Sequence, residues 1–318
     1  MSRPQKLFPN IEPFRSDLLS VTCSHKIYFE QCGNPKGFPV LFVHGGPGAG
    51  CNVKDRSFFD PNKWCITLFD QRGCGRSKPL GKLAANNTWA LVDDIQTLCK
   101  KLGIKRFVSF GGSWGSTLAT IFAIEYPKMI AGLVLRGIYL ATKRELDYFY
   151  NDGLTGVGIY VPEQWERYIS HVPLERRNDP FSYYNEQIAK GDRNLARELA
   201  IFECSTLHLA TQTEKEIEKD ADSAPEMGLL EAHYFRNNCF IEEGYILENA
   251  ASIPKTTPTV IVHGKYDLVC MPLSAKLLHD AIPHSELHWT IAGHSSKDPE
   301  TLKKLVLETD VMFDKIRK

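Results

Sequence analysis

The chain has 318 residues, enough for one α/β core that carries an insertion, and 43% of them are hydrophobic, which suffices to bury a sizeable core. Its 38 basic residues balance its 38 acidic ones, so neither nucleic acid nor an anionic membrane surface is expected as the main partner. No stretch approaches the ~18–20 apolar residues of a membrane span, and no signal peptide is expected. The nine cysteines form no CxxC pair, which predicts reduced thiols, no metal site and a cytoplasmic location.

Short apolar runs rich in β-branched residues alternate along the chain with segments of helical period. The predicted strands are Val40–Val43, Ile66–Phe69, Phe107–Phe110, Leu133–Leu135, Val260–His263 and Leu287–Ile291. The clearest predicted helices are Leu91–Leu102, which has its leucines and isoleucine on one face, and Trp114–Tyr126, which Pro127 ends. This alternation predicts a mostly parallel, doubly wound sheet with helices on both faces.

Strand patterns are absent from about residue 139 to about residue 245. Helical stretches rich in aromatic and charged residues replace them, at Glu145–Tyr150, Pro162–Ile169 and Leu195–Phe202. We expect a core formed by residues 1–138 and 246–318, with residues 139–245 inserted as a helical cap. The cap should cover the carboxyl edge of the sheet, where open α/β sheets bind their ligands.

The most informative motif is Gly111-x-Ser113-x-Gly115, which lies between a predicted strand and a predicted helix. In this context the pattern indicates a nucleophile elbow, the strained turn that presents the serine of the α/β-hydrolase fold. Side chains at positions 111 and 115 would collide with the neighbouring strand and helix. A glycine-rich turn with a capping serine is the alternative interpretation.

A serine nucleophile needs a base, and the base needs an acid that orients it. In this fold the order along the chain is serine, acid, histidine, each in the loop after a strand. Asp267 follows the strand at 260–263, and His294 follows the strand at 287–291. We therefore predict that Ser113, Asp267 and His294 act together, although His294 could also be an ordinary surface histidine.

The glycine-rich stretch HGGPG at 44–48 fits neither a Walker loop nor a GxGxxG fingerprint, and no cofactor is expected. It fits an oxyanion loop, whose backbone N–H approaches the substrate carbonyl while Trp114, next to the nucleophile, supplies the second N–H. In the stretch DQRGCGRS at 70–77, Asp70 and Arg72 are expected to tie the loop beneath HGGPG.

These motifs, together with GGSWGSTLA (111–119), LVLRGIY (133–139), VIVHGKYDLVC (260–270) and AGHS (292–295), resemble the prolyl aminopeptidase (proline iminopeptidase) family. The resemblance extends from about Leu7 to Asp310. It implies a serine exopeptidase of the α/β-hydrolase fold that releases an N-terminal proline from short peptides. It also implies a triad of Ser113, Asp267 and His294 and an oxyanion hole formed by the amides of Gly46 and Trp114.

The predicted cap matches the family less closely. EAHYFRNN (231–238) places Glu231, and Phe202-Glu203 places Glu203, where the family binds the free amino group of the substrate. Tyr139 and Phe149 fall where the family has aromatic rings beside the proline. Two facing carboxylates suit an ammonium group, because a cation between them relieves their repulsion. Salt bridges for the glutamates and ordinary packing for the two rings are the alternatives.

Two other functions remain open at this stage. One is an esterase or amide hydrolase of the same fold that needs no free amine. The other is a catalytically silent α/β-hydrolase that serves as a binding module, which the ordered serine, aspartate and histidine disfavour. Oligomeric state does not follow from the sequence.

Overall fold

The computed structural model describes residues 6–317. Within this range eight strands form one sheet. They are β1 (Arg15–Ser20), β2 (Lys26–Gly33), β3 (Phe38–Val43), β4 (Trp64–Phe69), β5 (Phe107–Ser113), β6 (Ile130–Ile138), β7 (Thr259–Gly264) and β8 (Glu286–Thr290).

The order of the strands across the sheet is β1-β2-β4-β3-β5-β6-β7-β8. The pairs β1–β2 and β2–β4 are antiparallel, and every pair from β4–β3 to β7–β8 is parallel. The predicted mostly parallel α/β sheet is therefore confirmed. The antiparallel strands β1 and β2 were not predicted, because β1 (RSDLLS) is almost entirely exposed and has no apolar face to reveal it.

The chain forms eleven α-helices between residues 6 and 317. They are α1 (Thr88–Leu102), α2 (Trp114–Glu125), α3 (Lys143–Leu146), α4 (Pro162–Ser170), α5 (Pro180–Ala189), α6 (Arg193–Cys204), α7 (Glu214–Asp222), α8 (Met227–Arg236), α9 (Tyr245–Asn249), α10 (Pro272–Ala281) and α11 (Pro299–Lys315). None of these helices combines the length and the apolar character that crossing a bilayer requires.

The two faces of the parallel strands bury two separate cores. Along β6, Leu133 and Leu135 point to the face covered by α1 and α2, whereas Val134 points to the face covered by α11. Strands β4 and β5 are buried along their whole length, as expected for central strands that are covered on both sides.

The topology brings the loops after β3, β5, β7 and β8 to one edge of the sheet. Since β3, β5, β6, β7 and β8 are parallel neighbours, their carboxyl ends lie side by side at that edge. After β6 the chain leaves the sheet and forms α3 to α9, with no strand in between, before it returns as β7. This edge is where an open α/β sheet binds its ligand.

Candidate active site

The turn between β5 and α2 presents Ser113. Its backbone has φ 58° and ψ −130°, a conformation that costs energy for any residue with a side chain. A Cβ atom at position 111 would lie 2.2 Å from the Gly115 carbonyl oxygen, and one at position 115 would lie 2.0 Å from the Val43 carbonyl oxygen. Only glycine fits at these two positions, and the turn is thereby held tight enough to aim Ser113 at the sheet edge.

Asp267 and His294 meet at the same edge. His294 Nδ1 lies 2.8 Å from Asp267 Oδ2, and the other oxygen of Asp267 accepts hydrogen bonds from the backbone N–H groups of Val269 and Cys270, at 3.0 and 2.8 Å. Burial alone would raise the pKa of Asp267, but the His294 ring and these donors lower it below its usual value. An ionised Asp267 fixes the His294 tautomer with hydrogen on Nδ1 and leaves Nε2 free to accept a proton.

A second histidine supports the loop that carries Asp267. The fully buried His263 accepts a hydrogen bond from Ile138 N–H at Nδ1 (3.0 Å) and lies 3.0 Å from the Cys270 carbonyl oxygen through Nε2. Burial lowers the pKa of His263, so the neutral ring can accept at one nitrogen and donate at the other. It therefore links β6 to the loop after β7.

Arg136 is one of the residues at this site that were not predicted from the sequence. Its Nη1 lies 3.1 Å from His294 Nε2 and 2.8 Å from the His294 carbonyl oxygen. Among residues 6–317, no hydrogen bond joins Ser113 Oγ to His294, so the arginine occupies the hydrogen-bonding position that a serine nucleophile would use. Catalytic contacts are often loose without substrate and tighten when it binds.

The loop after β3 lies against Ser113. A Cβ atom on Gly45 would lie 3.1 Å from Ser113 Cβ, which places HGGPG beside the nucleophile turn. The N–H of Trp114 lies in the first turn of α2, where no intrahelical acceptor is available. Gly46 and Ser113 line the same cavity, and Trp114 directly follows Ser113 at the start of α2.

The expectation that Arg72 supports this loop is wrong. Arg72 pairs instead with Asp94 of α1, at 2.6 Å. The supporting residue is the buried Gln71, whose N–H donates to His44 Nε2 (2.9 Å) and whose side chain joins the His44 carbonyl oxygen (2.8 Å) to Trp114 Nε1 (2.9 Å). Asp70 contributes as expected, by accepting from Cys51 N–H at 2.8 Å.

A small cavity opens next to Ser113. Gly46, Tyr139, Phe149 and Glu203, all singled out from the sequence, line it. The structure adds Tyr150, Phe235 and Cys270 to its walls. Phe149 and Tyr150 both reach the cavity because the chain forms a wide π-helical turn at Asp147–Asn151 after α3. Four aromatic rings and the carboxyl groups of Glu145 and Glu203 therefore line the space beside Ser113.

Glu203 on α6 and Glu231 on α8 form a buried pair. The Glu203 side chain accepts a hydrogen bond from Tyr150 OH at 3.2 Å. Both carboxyl oxygens of Glu231 are buried, and among the described residues no donor reaches them other than the neighbouring Glu203 carboxyl group, which can share a proton with Glu231. Burial raises the pKa of Glu203, and burial together with the neighbouring Glu203 raises that of Glu231 well above its usual value. No arginine or lysine pairs with either glutamate in the described part of the chain, so the salt-bridge alternative does not apply to them here.

The two carboxyl groups meet because α6 and α8 approach closely. A Cβ atom on Gly228 would lie 1.9 Å from the Ala196 carbonyl oxygen, so only glycine permits this approach. Gly228 is one helical turn before Glu231, and Ala196 is two turns before Glu203. Gly228 thereby permits the close approach of the two helices that carry the glutamates.

One cluster elsewhere has the composition of a metal site. Glu286 and His288 of β8 and Glu308 of α11 bring possible ligand atoms within 4.8 Å of one another. Lys304 already pairs with Glu308 at 2.7 Å, and Lys315 pairs with Glu286. These ion pairs account for the cluster without a metal.

Comparison with known proteins agrees with this architecture. A family model described as the alpha/beta hydrolase fold matches residues 39–299. A probable proline iminopeptidase of Leptolyngbya boryana is 41% identical to this chain over 96% of each of the two chains. A proline iminopeptidase of Xylella fastidiosa is 42% identical, over 96% of this chain and 98% of the relative. An esterase structure from Exiguobacterium antarcticum superposes with a TM-score of 0.65 at 17% identity, covering 96% of this chain and all of the esterase. At that identity the esterase indicates a shared fold only.

Proposed function

The chain belongs to the proline iminopeptidases of the α/β-hydrolase family, and we propose a route by which it removes N-terminal proline from short peptides. The observation that carries the proposal is the buried Glu231 carboxyl group, which no basic side chain neutralises and which lies beside Glu203, a residue in the wall of the Ser113 cavity. A buried acceptor of this kind is costly unless a ligand supplies the missing donor. The ammonium group of a free chain end supplies both the donors and the charge.

In the proposed reaction, Ser113 Oγ attacks the prolyl carbonyl carbon and gives its proton to His294 Nε2. Asp267 stabilises the imidazolium that forms, and the amides of Gly46 and Trp114 stabilise the oxyanion. His294 then protonates the leaving amine, the shortened peptide departs, and a prolyl ester of Ser113 remains. Water, activated by the same histidine, releases proline and restores the serine. Before the first step, His294 Nε2 must give up its contact with Arg136 Nη1 and accept a hydrogen bond from Ser113 Oγ instead.

Recognition of the substrate follows from the cavity walls. The carboxyl groups of Glu203 and Glu231 bind the ammonium, while Tyr139 and Phe149 contact the pyrrolidine ring. Glu203 is part of the cavity wall, so we expect it to obstruct a residue placed before the proline. We further propose that residues 139–245 act as a cap over the site, and that the free thiols reflect a reducing, cytoplasmic environment.

The test compares aryl amides of proline and of N-acetyl-proline. Acetylation removes the positive charge and leaves the scissile bond unchanged, so we expect rapid release from the free compound and almost none from the acetylated one. Equal rates would contradict the proposal and favour an esterase or amidase that does not sense the amine. Failure to react with a fluorophosphonate probe would favour the catalytically silent binding module.

Cys270 gives an independent check on the position of the cavity. Its buried thiol lines the cavity and has a pKa raised well above the usual value by burial. We expect a bulky maleimide to inactivate the enzyme slowly, and faster as the pH rises, because the thiolate is the reactive form. Residual activity after treatment, relative to the untreated enzyme, is the measurement.

Two variants identify the modified residue. Cys270→Ser should be resistant to the maleimide, and Cys23→Ser, which removes an exposed thiol, should stay as sensitive as the wild type. If the maleimide inactivates Cys270→Ser at the wild-type rate, another thiol is responsible for the inactivation. A maleimide on Cys270 is then not what blocks access of the substrate.

A further inference from the structure

The segment that joins α6 to α7, residues 205–213, lies against the loop that carries His294. The N–H of Ser295 donates to the Leu207 carbonyl oxygen at 2.7 Å. A Cβ atom on Gly293 would lie 2.8 Å from the Leu209 nitrogen, so the two stretches of backbone are in direct contact. Leu207 is only four residues after Glu203. The joining segment therefore connects the helix of one amine-binding carboxyl group to the loop of the proposed base.

The side chain of Asp298 bridges these two stretches. Its Oδ2 accepts hydrogen bonds from Gly293 N–H at 2.7 Å and from Leu209 N–H at 3.2 Å, and its Oδ1 lies 3.0 Å from His208 Nδ1. Only 7% of Asp298 is exposed. A carboxylate that accepts from donors on both sides of a contact fixes their relative position.

The same side chain does not cap its own helix. Asp298 is the residue before α11, a position where an aspartate usually accepts a hydrogen bond from the first turn. Here no such bond is made, and the carboxylate points to Gly293 and the joining segment instead. Removal of the Asp298 side chain therefore breaks no capping bond of α11. Its effect can be assigned to the lost contacts with Gly293, His208 and Leu209.

We propose that Asp298 is a positioning residue, which together with His208 fastens the joining segment to the His294 loop and so sets the distance between the amine-binding wall and the catalytic base. The inference rests on the proposed function, in which Glu203 binds the ammonium and His294 accepts the serine proton. An exopeptidase has to place the ammonium and the scissile carbonyl at the same time, and a shift of about 1 Å between the groups that hold them can cost about 100-fold in rate.

The test compares Asp298→Ala with Asp298→Asn. We expect alanine to lower kcat for the proline aryl amide by about 10- to 100-fold, at a Tm that shows the enzyme is folded. Asparagine can still offer one oxygen to both backbone N–H groups, so it should restore kcat to within about fivefold of the wild type. Asp222→Ala is the matched control, because Asp222 is an exposed cap residue that pairs with Arg197 at 2.7 Å and should leave kcat unchanged.

The rate of labelling by a fluorophosphonate provides the second readout, because it depends on Ser113 and His294 but on no ammonium group. We expect Asp298→Ala to slow labelling as well, since the base itself is displaced. Wild-type kcat and labelling rate in Asp298→Ala, or an asparagine variant as slow as the alanine variant, would overturn the inference. If Asp298→Ala does not fold, His208→Ala decides by the same two readouts, with an expected loss of about threefold or more, since one of three bonds is removed.

The two proposals can fail separately. A wild-type enzyme that is labelled but releases no proline would refute the proposed substrate. The labelling rates of the Asp298 variants would still show whether Asp298 positions His294.

Discussion

Ser113→Ala is expected to lower kcat for a proline aryl amide by about 10⁴-fold or more, because no other group among the proposed site residues can form the acyl-enzyme. His294→Ala should cost as much, and Asp267→Asn about 10⁴-fold, since asparagine favours the wrong histidine tautomer. Ser113→Ala in combination with His294→Ala should be no slower than either alone, because the two residues act as one unit. Steady-state rates with purified protein are the measurement.

The control for these losses of kcat is a measurement that each variant is still folded. Ser113 Oγ makes no hydrogen bond among the described residues, so alanine should leave the Tm unchanged. Ser223→Ala, which alters an exposed hydroxyl group in the cap, is the control and should keep full activity. A Ser113→Ala enzyme that retains more than a few per cent of wild-type kcat would contradict the assignment of the nucleophile.

Glu203→Gln and Glu231→Gln should each lower kcat/KM for the free proline amide by about 10- to 150-fold. The range corresponds to the roughly 1.5–3 kcal/mol that a charge-assisted hydrogen bond contributes to binding. Poor placement of the carbonyl can add a loss in kcat. An uncharged ester, if it is hydrolysed, should lose much less. Glu198→Gln is the matched control, because Glu198 lies on the same helix but pairs with Arg167, at 2.8 Å, instead of facing Glu231.

The pH dependence of kcat/KM should change with these variants. The raised pKa values mean that the empty pair retains protons that ammonium binding must release, so kcat/KM rises with pH on the acid side. Glu203→Gln removes the charge that raises the pKa of Glu231. In this variant the rise of kcat/KM on the acid side of the pH profile should therefore occur at lower pH. Equal losses on charged and uncharged substrates would show that the glutamates stabilise the cap and that the chain end is sensed elsewhere.

Thermal melting separates function from stability in the same variants. A buried carboxyl group whose pKa is higher in the folded state costs stability once the pH exceeds its unfolded pKa, because the unfolded chain ionises it more readily than the folded protein does. Glutamine removes that cost. The Glu→Gln variants should therefore melt no lower than the wild type above neutral pH, while their activity falls.

The strand–turn–helix around Ser113 could be predicted because every requirement of the turn is local. Gly111 and Gly115 are close to the serine in sequence, and their steric role is visible in five consecutive residues. Strand β6 was harder to delimit. Three residues were predicted and nine are observed, since Gly132, Arg136 and Gly137 interrupt its apolar pattern. Gly137 lacks a side chain because a Cβ atom there would lie 2.9 Å from His294 Cε1.

Contacts between segments that are distant along the chain were harder to predict from the sequence. The pairing of Glu203 with Glu231 depends on how closely α6 and α8 approach, and only the family resemblance indicated it. Arg136 follows the predicted strand Leu133–Leu135 and was given no role, although its side chain reaches the histidine 158 residues further on. In DQRGCGRS, Arg72 was predicted to support the HGGPG loop, but the residue that does so is Gln71. A link between the His44 carbonyl oxygen and the Trp114 N–H needs one group that donates and one that accepts, and the neutral amide of glutamine has both.

The insertion of α3 to α9 between β6 and β7 also affects how the protein is made. On a ribosome that adds roughly 5–20 residues per second, the 120 residues between Ile138 and Thr259 take about 6–24 s to synthesise. Throughout that interval β6, an almost wholly apolar strand, has no neighbour on one side, and an open apolar edge invites aggregation. Ser113 is synthesised before β7 and β8, whose following loops carry its proposed acid and base. We therefore expect the nascent chain to hydrolyse no peptide until both of these loops have left the exit tunnel.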